Sequence, residues 1–313
     1  MTLDDVRDDS AALHTSLPAT APYGELPVPA GVDVVGLDVP VGRLTGFVAA
    51  PDGPPRGAAL LVPGFTGSKE DFLPILRPLA DAGWLVVAYS RRGQPDSVLL
   101  GGREDYALEK EGRDVLGVAA LVRRLVAPGL PLHLLGHSYG GIVTRAAMLA
   151  DPTPFASYTM FCSGPHGWAV RGVGGDAGRG APSEEQVVGP LREGVAQARA
   201  ALEAPAHALA PRQRFETRRL VDASLSGLEV GALTLQSVPD TTDDLAAVAR
   251  ARGIPVHVVH GDRDDAWPIA WQRDMAERLG ARYTVVPDAG HSPQNDQPEA
   301  TARVWSRFWA DAQ

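Results

Sequence analysis

The sequence holds a single cysteine, Cys162, among 313 residues, so it can form neither an internal disulfide nor a cysteine-based zinc site. No apolar run approaches the roughly 20 residues that span a bilayer, so no membrane span is expected. Net positive charge is missing too: 29 Lys and Arg against 38 Asp and Glu leave a formal charge of −9, which argues against nucleic acid as a partner. The first ten residues, Met1-Thr-Leu-Asp-Asp-Val-Arg-Asp-Asp-Ser10, are acidic and lack the basic-then-apolar order of a secretory signal. A cytoplasmic protein is the expectation. Phosphate-cradling, dinucleotide-binding and metal-ligand spacings are absent as well, so neither a cofactor nor a metal is expected. With 44% hydrophobic and 21% charged residues, the composition is that of a globular protein. The length suits one large domain, or one domain carrying an insertion.

Proline and glycine, by contrast, are plentiful, at 27 and 34 residues. Residues 1–30 combine prolines and acidic groups without apolar periodicity and read as an extended or mobile lead-in. Segments 33–39 and 44–50 read as two strands joined by a Pro/Gly turn. Short apolar runs then recur at Ala58–Val62, Leu85–Tyr89, Leu132–Leu135 and Tyr158–Phe161, with helical patterns near 71–82, 109–126 and 138–150 between them. Val256–His260 and Tyr283–Val286 resume the rhythm, flanked by helices near 268–279 and 297–311. Such alternation predicts an α/β fold with a mostly parallel central sheet flanked by helices. This core takes in 31–163 and 241–313.

The interval 164–240 breaks the rhythm and is read as an inserted helical lid. It opens on a stretch too rich in glycine for a regular element. Ser183 and Gln186 then have the spacing of a capping box. An apolar stripe follows at Val187, Leu191, Val195, Ala198 and Leu202. A second helical stretch near 212–223 carries Arg212, Arg214, Arg218 and Arg219, read as a solvated face rather than an anion site.

Chemistry concentrates at Gly136-His137-Ser138-Tyr139-Gly140, between an apolar strand and a helical run. In a G-x-S-x-G turn of this kind the backbone folds tightly, exposes the serine hydroxyl and sets it at a helix N-terminus, where amides favour developing negative charge. A nucleophilic serine needs a base, and histidine has the pKa to take and return its proton. Of eight histidines, His291 in Asp288-Ala-Gly-His-Ser-Pro293 stands between the last strand and the closing helix. His137 is expected to pack beneath the serine and His260 to be a structural hydrogen-bonding residue. His14, His133, His166, His207 and His257 have no comparable context.

From Ala58 to the C-terminus, the lid interval excepted, the chain resembles the α/β-hydrolase fold family. Pro63-Gly64-Phe65 resembles the family's loop after the third strand, with proline where histidine is usual. The resemblance implies an oxyanion hole made by the backbone amides of Phe65 and Tyr139. His260-Gly-Asp-Arg-Asp264-Asp-Ala-Trp-Pro268 resembles the family's G-x-x-D-x-x-x-P loop and selects Asp264 as the orienting acid rather than Asp262 or Asp265. Tyr89-Ser90-Arg91-Arg92-Gly93 resembles its D-x-R-G loop with serine for aspartate. A serine at the elbow argues against the branches whose nucleophile is a carboxylate. The implied function is an esterase-like serine hydrolase acting on a small-molecule acyl substrate through Ser138, His291 and Asp264. Carbon–carbon bond hydrolysis, acyl transfer, and a weakly catalytic ligand-binding module on the same fold are the alternatives.

Overall fold

The computed structural model of the chain describes residues 17–168, 182–203, 205 and 209–312. Eight strands make one sheet: β1 (Val32–Val39), β2 (Gly42–Ala49), β3 (Gly57–Val62), β4 (Trp84–Ser90), β5 (Leu132–His137), β6 (Ser157–Phe161), β7 (Val256–Gly261) and β8 (Arg282–Val286). Their spatial order is β1-β2-β4-β3-β5-β6-β7-β8, antiparallel across β1, β2 and β4 and parallel from β4 to β8. Every residue of β3, β4, β5, β6 and β7 is buried. A parallel strand covered on both faces needs apolar residues on both, hence uninterrupted runs rather than alternation.

Ten helices connect the strands: α1 (Leu73–Asp81), α2 (Leu108–Val122), α3 (Tyr139–Ala150), α4 (Glu184–Glu203), α5 (Pro211–Asp222), α6 (Leu225–Ser237), α7 (Thr242–Arg252), α8 (Ile269–Leu279), α9 (Pro293–Asp296) and α10 (Pro298–Asp311). Successive strand residues point to opposite faces. Leu60, Val62 and Leu134 therefore pack with α2, α3, α7 and α8, while Ala59, Leu61 and Leu135 pack with α1 and α10. Trp305 and Trp309 of α10 are fully buried against that second face. Truncating either to alanine would cost roughly 3–5 kcal/mol.

Register decides where the chain's loops meet. Val62 pairs with Gly136, His137 with Phe161, Phe161 with Val259, and Gly261 with Val286. The carboxyl ends of β3, β5, β6, β7 and β8 thus finish level, and the segments that follow them share one edge of the sheet. In an open α/β sheet that edge is where ligands bind.

Between β6 and β7 lie α4, α5, α6 and α7, the first three of them within the interval 164–240. The capping box at the start of α4 forms: the Ser183 amide donates to Gln186 Oε1 (2.8 Å) and the Gln186 amide to Ser183 Oγ (3.3 Å). Val195 of the expected stripe is buried and its other members are half-buried, with Val188 adding a second buried position. Helix α6 goes beyond the sequence reading, which ends its last helix of this interval near 223. Residues 18–20 run beside β1, where the Thr20 amide donates to Val34 O (3.0 Å) and the Gly36 amide to Pro18 O (2.7 Å). Residues 1–16 of the expected lead-in and most of the glycine-rich stretch, 169–181, lie outside the described residues. Among the described residues no helix is long and apolar enough to cross a membrane.

Candidate active site

The turn after β5 is strained at one residue. Ser138 has φ 57° and ψ −123°, a conformation that side chains rarely adopt and that costs on the order of 1–3 kcal/mol. The two glycines of the motif are fixed by close approach. A Cβ on Gly136 would lie 2.3 Å from Gly140 O, and one on Gly140 would lie 2.3 Å from Val62 O. Only hydrogen fits at either place, which is why the turn demands glycine on both sides of the serine. Tyr139 opens α3, so its amide has no acceptor within the helix.

Ser138, His291 and Asp264 come together. His291 Nε2 lies 2.9 Å from Ser138 Oγ, and His291 Nδ1 lies 2.8 Å from Asp264 Oδ1. The Asp264 side chain is fully enclosed, and burial alone would raise its pKa. The bond from His291, its charge, the Gln272 amide (3.0 Å) and the Ala266 amide (3.1 Å) outweigh burial and hold the carboxyl below its ordinary value. An ionised carboxylate only accepts, so Nδ1 of His291 carries the proton and Nε2 presents its lone pair to the serine hydroxyl. Asp262 turns elsewhere and accepts the Ala289 amide (3.1 Å).

His137 packs beneath this row, as expected. Its Nε2 donates to the His291 carbonyl (2.8 Å), tying the loop after β8 to the elbow. Burial, helped by the nearby His291, lowers its pKa to about 4, so the ring is neutral and keeps that tautomer. His260 bonds Gly261 O and Tyr283 Oη and has the structural role expected of it. The described residues after β6, 162–168, lack a carboxylate, and the buried Arg145 holds them through Pro165 O (2.6 Å).

On the other side of Ser138 the loop Pro63–Phe65 runs close. A Cβ on Gly64 would lie 3.1 Å from Ser138 Cβ. Arg91, buried, donates to the carbonyls of Pro63 (3.3 Å), Gly64 (3.0 Å) and Phe65 (3.2 Å), and Gln94 adds a second bond to Gly64 O (3.0 Å).

An open cleft of about 340 Å³ lies over Ser138. Phe65, Trp168, Leu235 and Ala266 give it apolar lining, and Asp71, Arg212, Glu216 and Arg219 give it charged lining. For Arg212 and Arg219 this corrects the reading of the α5 arginines as a solvated face; Arg214 and Arg218 do not line the cleft. Arg219 is only 11% exposed; it bonds Asp71 and Ser68 and lies over the Phe215 ring. Arg212 pairs with Glu216 one turn on (2.6 Å). Nothing local in the sequence distinguishes these arginines from Arg218, because their partner Asp71 lies about 150 residues away. Gln272 was likewise invisible: it sits in the first turn of α8 with no motif around it.

Among the described residues one group could offer three metal ligands, His137, Cys162 and His291, whose donor atoms lie within 4.8 Å of one another. His137 Nδ1 has no hydrogen-bond partner, but the other two residues are committed. His291 uses both nitrogens, His137 Nε2 holds the His291 carbonyl, and burial pushes the Cys162 thiol well above its ordinary pKa, keeping it protonated. Ligation would dismantle the row rather than complete it.

Residues 59–304 match the model of the alpha/beta hydrolase family. The chain is 27% identical, over 81% of its length and 88% of the relative's, to a monoacylglycerol lipase of Mycolicibacterium smegmatis. Among solved structures it resembles an esterase from Exiguobacterium antarcticum (TM-score 0.68, 17% identity, 87% of this chain and 98% of that one). It also resembles a thermophilic esterase from Thermogutta terrifontis (TM-score 0.64, 19% identity, 89% and 98%). At such identities these two structures show the fold alone.

Proposed function

The chain belongs to the alpha/beta hydrolase family and is a hydrolase, and on that premise we propose that it cleaves carboxylic esters of small molecules, in the cytoplasm, through Ser138, His291 and Asp264. The observation that carries this reading is the unbroken row from Ser138 Oγ through His291 to an ionised Asp264, at 2.9 and 2.8 Å. Ser138 Oγ attacks the acyl carbon while His291 Nε2 takes its proton. The resulting oxyanion is held by the Phe65 and Tyr139 amides. Collapse expels the alcohol, to which His291 returns the proton. Water then attacks the acyl-enzyme with His291 as base, releasing the acid and restoring the serine. Asp264 keeps the imidazole in its productive tautomer and stabilises the imidazolium.

Two observations support the hole. The Tyr139 amide stands first in its helix, and the Gly64 carbonyl is fixed by Arg91 and Gln94. In a trans peptide the Phe65 N–H points opposite to that carbonyl, away from Arg91. Losing one such donor costs about 2.7–4 kcal/mol in the barrier.

The segment 164–240 serves as the lid over this cleft, a reading supported by Trp168, Arg212, Glu216, Arg219 and Leu235, all of which line it. Mixed apolar and charged lining suits an ester that joins an apolar acyl chain to a polar alcohol, which is also the chemistry of the lipase relative. The test is a fluorophosphonate probe, which reacts with an activated serine whatever the natural substrate. One equivalent of label at Ser138 is expected, none in Ser138→Ala and little in His291→Ala, both folded, together with turnover of short p-nitrophenyl esters. Labelling without ester turnover would favour carbon–carbon cleavage or acyl transfer. A folded protein that takes no label would leave the ligand-binding module as the better account.

A further inference from the structure

Two consecutive arginines follow β4, and they do different things. Arg92 stands where the D-x-R-G pattern places its arginine, and it is consumed locally by Asp114 and by the carbonyls of Asp105 and Lys110. Arg91 stands at the place that the pattern leaves open. Its guanidinium contacts both chain segments that flank Ser138. On one side it takes three successive carbonyls, Pro63, Gly64 and Phe65. On the other it lies over the ring of Tyr139, 4.8 Å from the centroid. Its own position is fixed by Glu111 (2.6 Å), also buried, and by its backbone amide, which donates to Gln94 Oε1 (2.7 Å). Glu111 in turn faces the Tyr139 hydroxyl.

We infer that Arg91 is a positioning residue for the oxyanion hole, setting the Phe65 and Tyr139 amides relative to one another from behind. The inference rests on the hydrolase reading above. Its physical basis is geometric. No peptide bond in the described chain is cis, so each carbonyl pulled toward Arg91 turns the next N–H away from it. The Gly64 carbonyl, held by Arg91, Gln94 and the Gly67 amide (3.3 Å), fixes the plane of the Phe65 amide. The same guanidinium packs on the side chain whose amide is the second donor. An oxyanion donor works only when it is already aimed, since reorganisation during the reaction forfeits most of its value. Arginine suits the task because its planar fork spans three acceptors and a ring face at once, which a lysine ammonium cannot.

Removing Arg91 alone would strand Glu111 in the interior, so folding must be controlled. Two variants serve. Arg91→Lys keeps the charge opposite Glu111 but loses the fork. Arg91→Met combined with Glu111→Gln removes both charges. In each, kcat on p-nitrophenyl butyrate is expected to fall about 10- to 100-fold with KM changed less than about threefold. A purely structural role would not move the second readout: the Ki of a trifluoromethyl ketone, whose adduct with Ser138 carries the oxyanion, should rise by the same factor as kcat/KM falls. A ground-state ligand such as the product acid should bind as before. If both variants fold and keep kcat and the ketone Ki within threefold of the parent, the inference is wrong. It is equally wrong if kcat falls while the ketone Ki stays put. Failure of the underlying reading looks different, because the parent would then turn over no ester, or Ser138→Ala would turn it over as well as the parent does.

Discussion

The loops at the carboxyl edge of the sheet and the helices of 182–237 are built by different rules. In the loops, bonds are short, enclosed and mutually dependent: Asp264 accepts from His291, Gln272 and the Ala266 amide, while His137 holds the His291 carbonyl. The helices attach through ion pairs and hydrogen bonds as well as through buried Leu228 and Leu235. Glu229 receives Arg103 (2.7 Å) and Arg192 (2.6 Å), Arg219 meets Asp71, and the Tyr23 hydroxyl donates to Asp222 (2.8 Å). Enclosed networks fix atoms to the fraction of an ångström that proton transfer requires. Exposed pairs at the rim, such as Arg103–Glu184, hold a segment in place yet open at small cost. On the proposed reading, the sheet edge carries the chemistry and the helices set selectivity.

The strongest way to break that assignment is at the acid. Asp264→Asn should lower kcat roughly 10⁴-fold, because the amide favours the wrong imidazole tautomer and cannot stabilise the imidazolium. Asp262→Asn, whose carboxylate is 41% exposed, should stay within about threefold of the parent in the same p-nitrophenyl ester assay. A crippling Asp262→Asn would reassign the loop.

Acid should damage the sheet before it frees the helices. Burial depresses His133 and His257 to about 3 and His137 to about 4, against an ordinary value of 6.5. Below pH 6.5 the unfolded chain takes up protons that these folded rings refuse. Stability is therefore complete above pH 6.5 and lost progressively as pH falls toward about 4, at about 1.4 kcal/mol per pH unit for each ring. Denaturant melts from pH 7 to 4.5 should show this slope, and His133→Phe should flatten it by one ring's share.

A sharper comparison comes from Glu229→Gln. Burial alone would raise this carboxyl, but the bonds from Arg192 and Arg103 hold it below its ordinary value. Losing that charge should cost about 1–3 kcal/mol locally. Proteolysis within 184–237 should accelerate roughly tenfold while the melting temperature moves only a few degrees. An equal loss of global stability would mean that the helices and sheet form one cooperative unit. The smallest effect is expected at Arg212, 43% exposed beside Glu216. Arg212→Gln should raise KM for a monoacylglycerol a few-fold and leave the methyl ester of the same acid less affected, since an exposed pair contributes about 0.2–1 kcal/mol.

Strands and site were legible wherever the backbone made a local demand. The elbow glycines are dictated by contacts a few residues away and by Val62 O, so the motif shows in one short window. Helix α7 carries Asp243 and Asp244 in its first turn, Arg250 and Arg252 in its last, and Gly253 at φ 65° beyond it, yet the sequence reading passed over it. Helix α6 had weaker signals: Gly227 and Gly231 lower its propensity, and packing overrides them. Gly231 sits where a Cβ would lie 2.7 Å from the Phe65 ring, a requirement that no local pattern expresses.

By itself the sequence determined the alternating strands and helices, the serine at its turn, and the loops carrying His291 and Asp264, because each depends on residues near one another in the chain. Tertiary structure alone decided that Arg91 contacts the loop Pro63–Phe65 while Arg92 does not, and that Arg212 and Arg219 line the cleft while Arg214 and Arg218 do not. Those outcomes depend on partners 20 to about 150 residues away, Glu111 for Arg91 and Asp71 for Arg219, and only the folded chain brings them within a hydrogen bond.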